Sequence, residues 1–374
     1  MDGLGFGAVV LAQRKRLGWT QEELAARVGV SKGAVSKWEN GQSYPDLPLL
    51  PRLAALFRIS VDQLLDYRPQ LSREEIRRLH KELSRAFVEQ PFPQVRARCQ
   101  ELTAQYASCA PLLLRVGSLF LNYLNLAEHP QQLLEEAMEL FSRARQSSQD
   151  ANLSSEALHL EAYCLLCLKR PQEAFSLLGE DWRPASPSET IQAMAYSQLG
   201  RPEKARQVLQ AGIYHGLVLL FSDLGNYLEL CLDADFPLAC RRAEELIQAF
   251  AVDRLHPGLV FPIYLAIARG WMKRGQKDAA LEALEAYTAL ATGPVFPMRL
   301  HGDAFFNQLE AWLDQALELG DYPPRDESVI KKSLVQGVTE TPEFAPLKEE
   351  PRYQALVRRL REHLEEHEIW KLYL

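Results

Sequence analysis

Apolar residues recur with helical spacing from Phe6 onward, and short breaks divide the first 66 residues into five segments. Phe6 to Leu17 reads as a helix that Gly18 stops, since glycine accepts the left-handed backbone that closes a helix. Thr20 followed by Glu23 is a capping box, in which each residue satisfies a backbone N–H near the other. The helix it opens carries Leu24, Ala25 and Val28 on one face and ends at Gly29. Ser31 caps a third helix, from Lys32 to about Glu39, which Asn40-Gly41 closes. Only Gly29, Val30 and Ser31 separate the second and third helices, and a three-residue turn containing glycine is helix-turn-helix geometry. A fourth helix is expected from about Asp46 to Phe57, with Pro48 in its first turn and Pro51 costing a hydrogen bond further in. A fifth runs from Val61 to Asp66.

From Ser72 onward the three-and-four spacing continues almost without interruption and no strand-like alternation stands out. Three turns look alike: Lys169-Arg170-Pro171-Gln172-Glu173-Ala174, Arg201-Pro202-Glu203-Lys204-Ala205 and Arg274-Gly275-Gln276-Lys277-Asp278-Ala279-Ala280. Aligned on those turns, Ala174, Ala205 and Ala280 coincide, and so do Cys164, Ala195 and Gly270, each beside a larger Leu165, Tyr196 or Trp271. Small residues at fixed positions let paired helices approach closely. Second helices of such pairs are expected to begin near Pro130, Pro171, Pro202, Pro237 and Lys277, at intervals of 41, 31, 35 and 40 residues. Asp321 to Ser328 is proline-rich and reads as a loop, and a charged last helix is expected from Tyr353 to about Trp370.

The head, residues 6–66, resembles the lambda-repressor-like DNA-binding domain, also called the xenobiotic-response-element family. The strings that carry the resemblance are Leu17-Gly18-Trp19-Thr20-Gln21-Glu22-Glu23-Leu24-Ala25, Val28-Gly29-Val30-Ser31, Val35-Ser36-Lys37-Trp38-Glu39-Asn40-Gly41 and Ile59-Ser60-Val61-Asp62-Gln63-Leu64-Leu65. The resemblance implies that the third helix lies in the major groove, with Ser31, Lys32, Gly33, Ala34, Ser36, Lys37 and Asn40 on the DNA side and Val35 and Trp38 anchoring it. A lysine bonds guanine O6 and N7 or a phosphate, and Ala34 suits a thymine methyl. Gln21 matches a residue that bonds a backbone phosphate, and Arg14 and Glu39 match a structural ion pair. Gly33 stands where the family has a larger polar residue; it weakens the helix by roughly 1 kcal/mol against alanine.

The body resembles degenerate tetratricopeptide repeats, whose period is about 34; Glu343-Phe344-Ala345-Pro346-Leu347-Lys348-Glu349-Glu350-Pro351-Arg352-Tyr353 resembles the segment that closes such arrays. The expected fold class is all-α: a five-helix head over residues 1–69 and an α-solenoid of helix pairs over residues 70–374.

Charge divides the chain in the same place. Residues 1–66 carry a net +1 and residues 67–374 a net −8, which sum to −7, so bulk charge does not make the whole chain a nucleic-acid binder. Between them, Arg68 to Arg98 has eight basic residues against four Glu and reads as a solvated helix face. The apolar share of 47% and charged share of 24% are those of a globular chain. No run of 18 uncharged apolar residues and no leader pattern is found, which points to a cytoplasmic protein without a membrane span. Six cysteines at 99, 109, 164, 167, 231 and 240 suit a reducing compartment. Cys164-x-x-Cys167 stands alone on a leucine-rich helix and reads as a core pair rather than a zinc site. His363-x-x-x-His367 reads as a solvated face. No phosphate-binding glycine loop or Gly-x-Ser-x-Gly elbow occurs, so neither an enzyme nor a cofactor is expected.

A head of this kind on such a body is similar to the peptide-pheromone-sensing regulators of Gram-positive bacteria and their phages. The resemblance implies a homodimer on a double-stranded DNA operator, with the repeat groove binding a short peptide; the alternatives are a body that only docks proteins or dimerises, and a scaffold whose head no longer binds DNA. Asparagine offers a donor and an acceptor on one short side chain and so suits clasping a peptide backbone. The body has five: Asn122, Asn125, Asn152, Asn226 and Asn307. Asn152 reads as an N-cap, and Asn122, Asn226 and Asn307 are expected to line the groove.

Overall fold

The computed structural model describes residues 5–66, 70–181, 188–317 and 319–365. Among them every regular element is helical. The head is built from α1 (Phe6–Arg16), α2 (Gln21–Val28), α3 (Lys32–Glu39), α4 (Leu49–Phe57) and α5 (Val61–Leu65). Their apolar faces meet in one core, in which Phe6, Val10, Leu24, Val35, Phe57 and Leu64 are fully buried. Each such side chain contributes about 1.5–3 kcal/mol by leaving water. A Cβ on Gly7 would stand 2.4 Å from the Trp38 carbonyl oxygen, so α1 and α3 approach at a distance that only glycine permits.

The fourth helix starts at Leu49, three residues later than the sequence pattern suggested, with Pro48 as its N-cap. That shift moves Pro51 into the first turn, where its missing N–H has no intrahelical partner to lose, so the expected cost disappears. Arg58 and Asp66 close α4 and α5 with positive φ of 57° and 51°, and the Arg16 guanidinium donates to the terminal carbonyl of Phe57 at 3.0 Å.

The body continues with α6 (Arg73–Glu89), α7 (Phe92–Gln105), α8 (Ala110–Asn122), α9 (Pro130–Ser147), α10 (Ala151–Cys167), α11 (Pro171–Leu178), α12 (Ser188–Gln198) and α13 (Pro202–Leu230). It ends with α14 (Phe236–Ala249), α15 (Val252–Leu255), α16 (Pro257–Lys273), α17 (Lys277–Ala291), α18 (Leu309–Ala316), α19 (Glu327–Thr339) and α20 (Pro351–Leu364). Helices begin at Pro130, Pro171, Pro202 and Lys277 as expected, and at Phe236, one residue before Pro237. The expected end of the last helix, residues 366–370, lies outside the described residues, as does His367. Asp150, not Asn152, caps α10: its carboxylate accepts from the N–H groups of Asn152 and Leu153.

The chain falls into two compact units. One comprises Met1–Ser72, Arg96–Gly117 and Leu134–Glu173, and therefore holds the head. Within it a Cβ on Gly117 would lie 2.7 Å from the Phe141 ring, and ion pairs Arg115–Glu156 and Arg170–Glu135 join α8 to α10 and the start of α11 to α9. The other comprises Arg73–Val95, Ser118–Leu133 and Ala174–Leu374. Its core runs through α13, α14, α16, α17, α19 and α20. Ala174, Ala205 and Ala280 are all buried, as the aligned turns require. Cys164 and Gly270 are buried too, and Gly270 lies so close to Phe236 that a Cβ would overlap its ring. Ala195 breaks the series: it is exposed, and Ala193 is the buried residue of α12.

Helix α13 is 29 residues long and is long and apolar enough, by length and composition only, to cross a membrane. Arg206 and Asp223 bound its apolar stretch, which is therefore shorter than 18 uncharged residues. In the fold it packs against α12, α14, α16 and α18.

Candidate nucleic-acid interface

The turn between α2 and α3 is fixed at both ends by local chemistry. At the start of α2 the Glu23 N–H donates to the Thr20 hydroxyl at 3.2 Å and the Thr20 N–H donates to the Glu23 carboxylate at 2.7 Å. The hydrogen bonds from Thr20 hold the Glu23 carboxyl below its usual pKa. Gly29 closes α2 at φ 81°, a conformation that disfavours any residue with a Cβ. The Ser31 hydroxyl then accepts from the Ala34 N–H at 3.2 Å and starts α3. Val35 and Trp38 point into the core and set the rotation of α3 about its axis.

That rotation leaves Ser31, Lys32, Gly33, Lys37 and Asn40 exposed and Ala34 and Ser36 half-buried. The Lys32 ammonium sits 3.1 Å from the Glu22 carboxylate, with both side chains more than half exposed. Such a pair contributes little to stability, and it holds the charge of Lys32 beside the turn. Gly33 has open space around its Cβ position, with the Ser31 hydroxyl 3.9 Å away.

Behind the helix, Arg14 and Glu39 form a two-pronged ion pair, Nε to Oε1 at 2.5 Å and Nη2 to Oε2 at 2.9 Å. Arg14 also donates to the Trp19 carbonyl at 2.7 Å, which ties α1 to the entry of α2. Burial pushes the Glu39 carboxyl up, but hydrogen bonds from Arg14 and Gln21 outweigh it and hold its pKa below the usual range. Gln21 is thus in a place the sequence did not suggest: its amide donates to Glu39 Oε2 at 2.8 Å. This bond braces α2 against α3.

The three asparagines singled out in the body have different partners. Asn122, at the end of α8, accepts from Arg325 Nε at 3.2 Å. Asn226 on α13 donates to the Ser222 carbonyl of its own helix at 2.9 Å. Asn307, in the turn before α18, accepts from Gln210 at 3.1 Å. No partner is common to the three among the described residues. Cys164 is buried and Cys167 half-buried, and burial pushes the Cys164 thiol up to about 12.

The comparisons with known proteins bear on the head. A family model described as helix-turn-helix matches residues 10–64. Over 46 residues the chain is 44% identical to the HTH-type transcriptional activator BcrR of Enterococcus faecalis, which is 12% of this chain and 22% of that protein. The match thus spans under a quarter of that relative's length. The apo form of ComR from S. thermophilus is a structural neighbour at 16% identity, covering 77% of this chain and 94% of that one with a TM-score of 0.26. The capped turn, the anchored third helix and the Arg14–Glu39 brace all lie within residues 10–64, the segment that matches the helix-turn-helix family.

Proposed function

We propose that the chain is a cytoplasmic, sequence-specific transcription regulator that binds its operator as a homodimer. In this reading the head, to residue 69, grips DNA, and the body from residue 70 dimerises and senses a short peptide. The observation that carries the DNA part is α3: its inner side is locked by Val35 and Trp38 while Lys32, Gly33 and Lys37 stand in solvent at its N-terminal end and along its outer face. Gel retardation on a palindromic operator tests it. Lys32→Ala is expected to cost about 1–3 kcal/mol and to relax specificity at one position if it reads a base. A folded Lys32→Ala, Lys37→Ala double variant with unchanged operator affinity would overturn it.

Dimerisation is supported by an apolar stripe on α13. Leu209, Ile213, Leu220 and Tyr227 are exposed, and at 100° per residue they fall within about 40° of one another. Stripes of this kind mark association surfaces, and a head of net +1 gains from a second half-site one helical turn away. A monomeric mass for the wild type at micromolar concentration, with and without DNA, would refute the dimer.

The peptide-sensing part rests on the likeness of the body to tetratricopeptide arrays, which present extended binding surfaces. Asn122, Asn226 and Asn307 are proposed to contact the peptide backbone, and all three are exposed or half-buried. The same apolar stripe favours a second reading, a body that only dimerises or docks proteins. Thermal shift with short peptides separates the two: a shift that Asn226→Ala abolishes supports the first, and no shift with any peptide supports the second.

A further inference from the structure

A cavity of about 670 Å³ opens among α16, α17, α19 and the segment between Met298 and Arg325. This size is typical of small-ligand sites. Phe261, Leu265, Tyr287, Ile330 and Leu334 form its apolar wall. Its charged lining is three arginines, Arg269, Arg299 and Arg325, against one acid, Asp321. His256 adds no charge at neutral pH, since burial lowers its pKa to about 4.

Two of the arginines are already engaged. Arg269 donates from Nε to Glu229 at 2.9 Å, and Arg325 donates to Asn122. Arg299 differs. Its guanidinium carbon lies 3.5 Å from the centre of the Tyr322 ring, so the ring fixes the guanidinium over its face. Its Nη1 is buried, makes no hydrogen bond and forms only a loose ion pair with Asp321 at 3.8 Å, while 35% of the side chain stays exposed for a ligand. A buried guanidinium nitrogen without an acceptor is costly, and a stacked guanidinium still offers its in-plane donors to a carboxylate. Arg299 and Arg325 also line an adjoining cavity of about 470 Å³, whose walls include Arg78, Lys81 and Arg85.

We propose that this cavity binds an apolar chain ending in a carboxylate, with the chain against Phe261, Leu265, Ile330 and Leu334 and the carboxylate on Arg299. The inference names a ligand class for the effector role proposed above and rests on that reading only for its consequence, not for the binding itself. A medium-chain fatty acid and the free C-terminus of a short apolar peptide share this chemistry.

Isothermal titration of the full chain decides it, with four probes: decanoate, decanol, an apolar heptapeptide and the same peptide amidated at its C-terminus. Decanoate or the free-acid peptide is expected to bind at least tenfold tighter than its uncharged counterpart, and whichever acid binds tighter identifies the source. Arg299→Gln is expected to remove that tenfold preference while leaving decanol binding unchanged. Should Arg299→Gln fail to fold, Ile330→Trp fills the cavity from its wall and is expected to abolish binding of either acid. Equal binding of acid and neutral probes, an unaffected Arg299→Gln, or no binding by either acid overturns the proposal. Binding that leaves operator affinity unchanged would uphold the cavity and overturn the effector role; absence of binding would leave the operator reading intact.

Discussion

At the scale of single residues, the head depends on Arg14 and Glu39. Their side chains retain only 12% and 4% of their exposure, so truncating one strands the other with little access to water. Arg14→Ala is expected to destabilise the head by about 3 kcal/mol in urea unfolding, because it leaves the Glu39 carboxylate unpaired. The pH dependence has a definite sign. Pairing depresses the folded-state pKa of Glu39, so its stabilisation is present above the ordinary carboxylate range and is lost as pH falls through the folded value. Gly33 works the other way. Its Cβ position is open, and Gly33→Ala is expected to raise head stability by up to about 1 kcal/mol. An unchanged operator affinity in that variant would show that the backbone at residue 33 makes no close approach to DNA.

At the scale of elements, the sequence made the head legible because its signals are local. Thr20, Glu23, Gly29 and Ser31 each determine a cap or turn by their own geometry, and the structure uses all four as expected. The start of α4 was not legible, since two prolines three residues apart fit either of two first turns; in the fold Pro48 is the N-cap and Leu49 the first helical residue. Nor was the role of Gln21, which depends on Glu39, 18 residues away. In the body, turn spacing located five helix starts but not which small residues face a neighbour: Gly270 does, Ala195 does not. Gly270→Ala is expected to cost about 1–3 kcal/mol, since the new methyl meets the buried Phe236 ring. The cavity was not legible at all, because Arg299 and Phe261 come together only in the fold. His256, at the start of α16, hydrogen-bonds through Nδ1 to the Tyr214 hydroxyl at 3.0 Å. Its pKa is depressed from 6.5 to about 4 by burial, so the unfolded chain takes up a proton first. Stability is therefore expected to fall with pH between 6.5 and 5, approaching about 1.4 kcal/mol per unit for this group. Denaturation of His256→Asn across that range should lack this component of the slope.

At the scale of the whole molecule, a head of net +1 supplies little non-specific attraction, and the body carries a net −8. In the proposed reading, affinity for DNA comes from paired half-sites rather than from bulk charge. Replacing Leu220 with lysine places a charge in the α13 stripe; operator binding is expected to weaken while the head keeps its fold, and sedimentation should show a lighter species. Helix α13 packs against α12 and also against α14 and α16, so a single hydrogen-bonded ladder serves two packing modules, α12 and the pair α14 and α16. Neither module can open without fraying a helix that the other needs. Amide hydrogens from Ala205 to Leu228 should therefore exchange with one common protection factor, and a destabilising change in α12 should accelerate exchange in α16 as well.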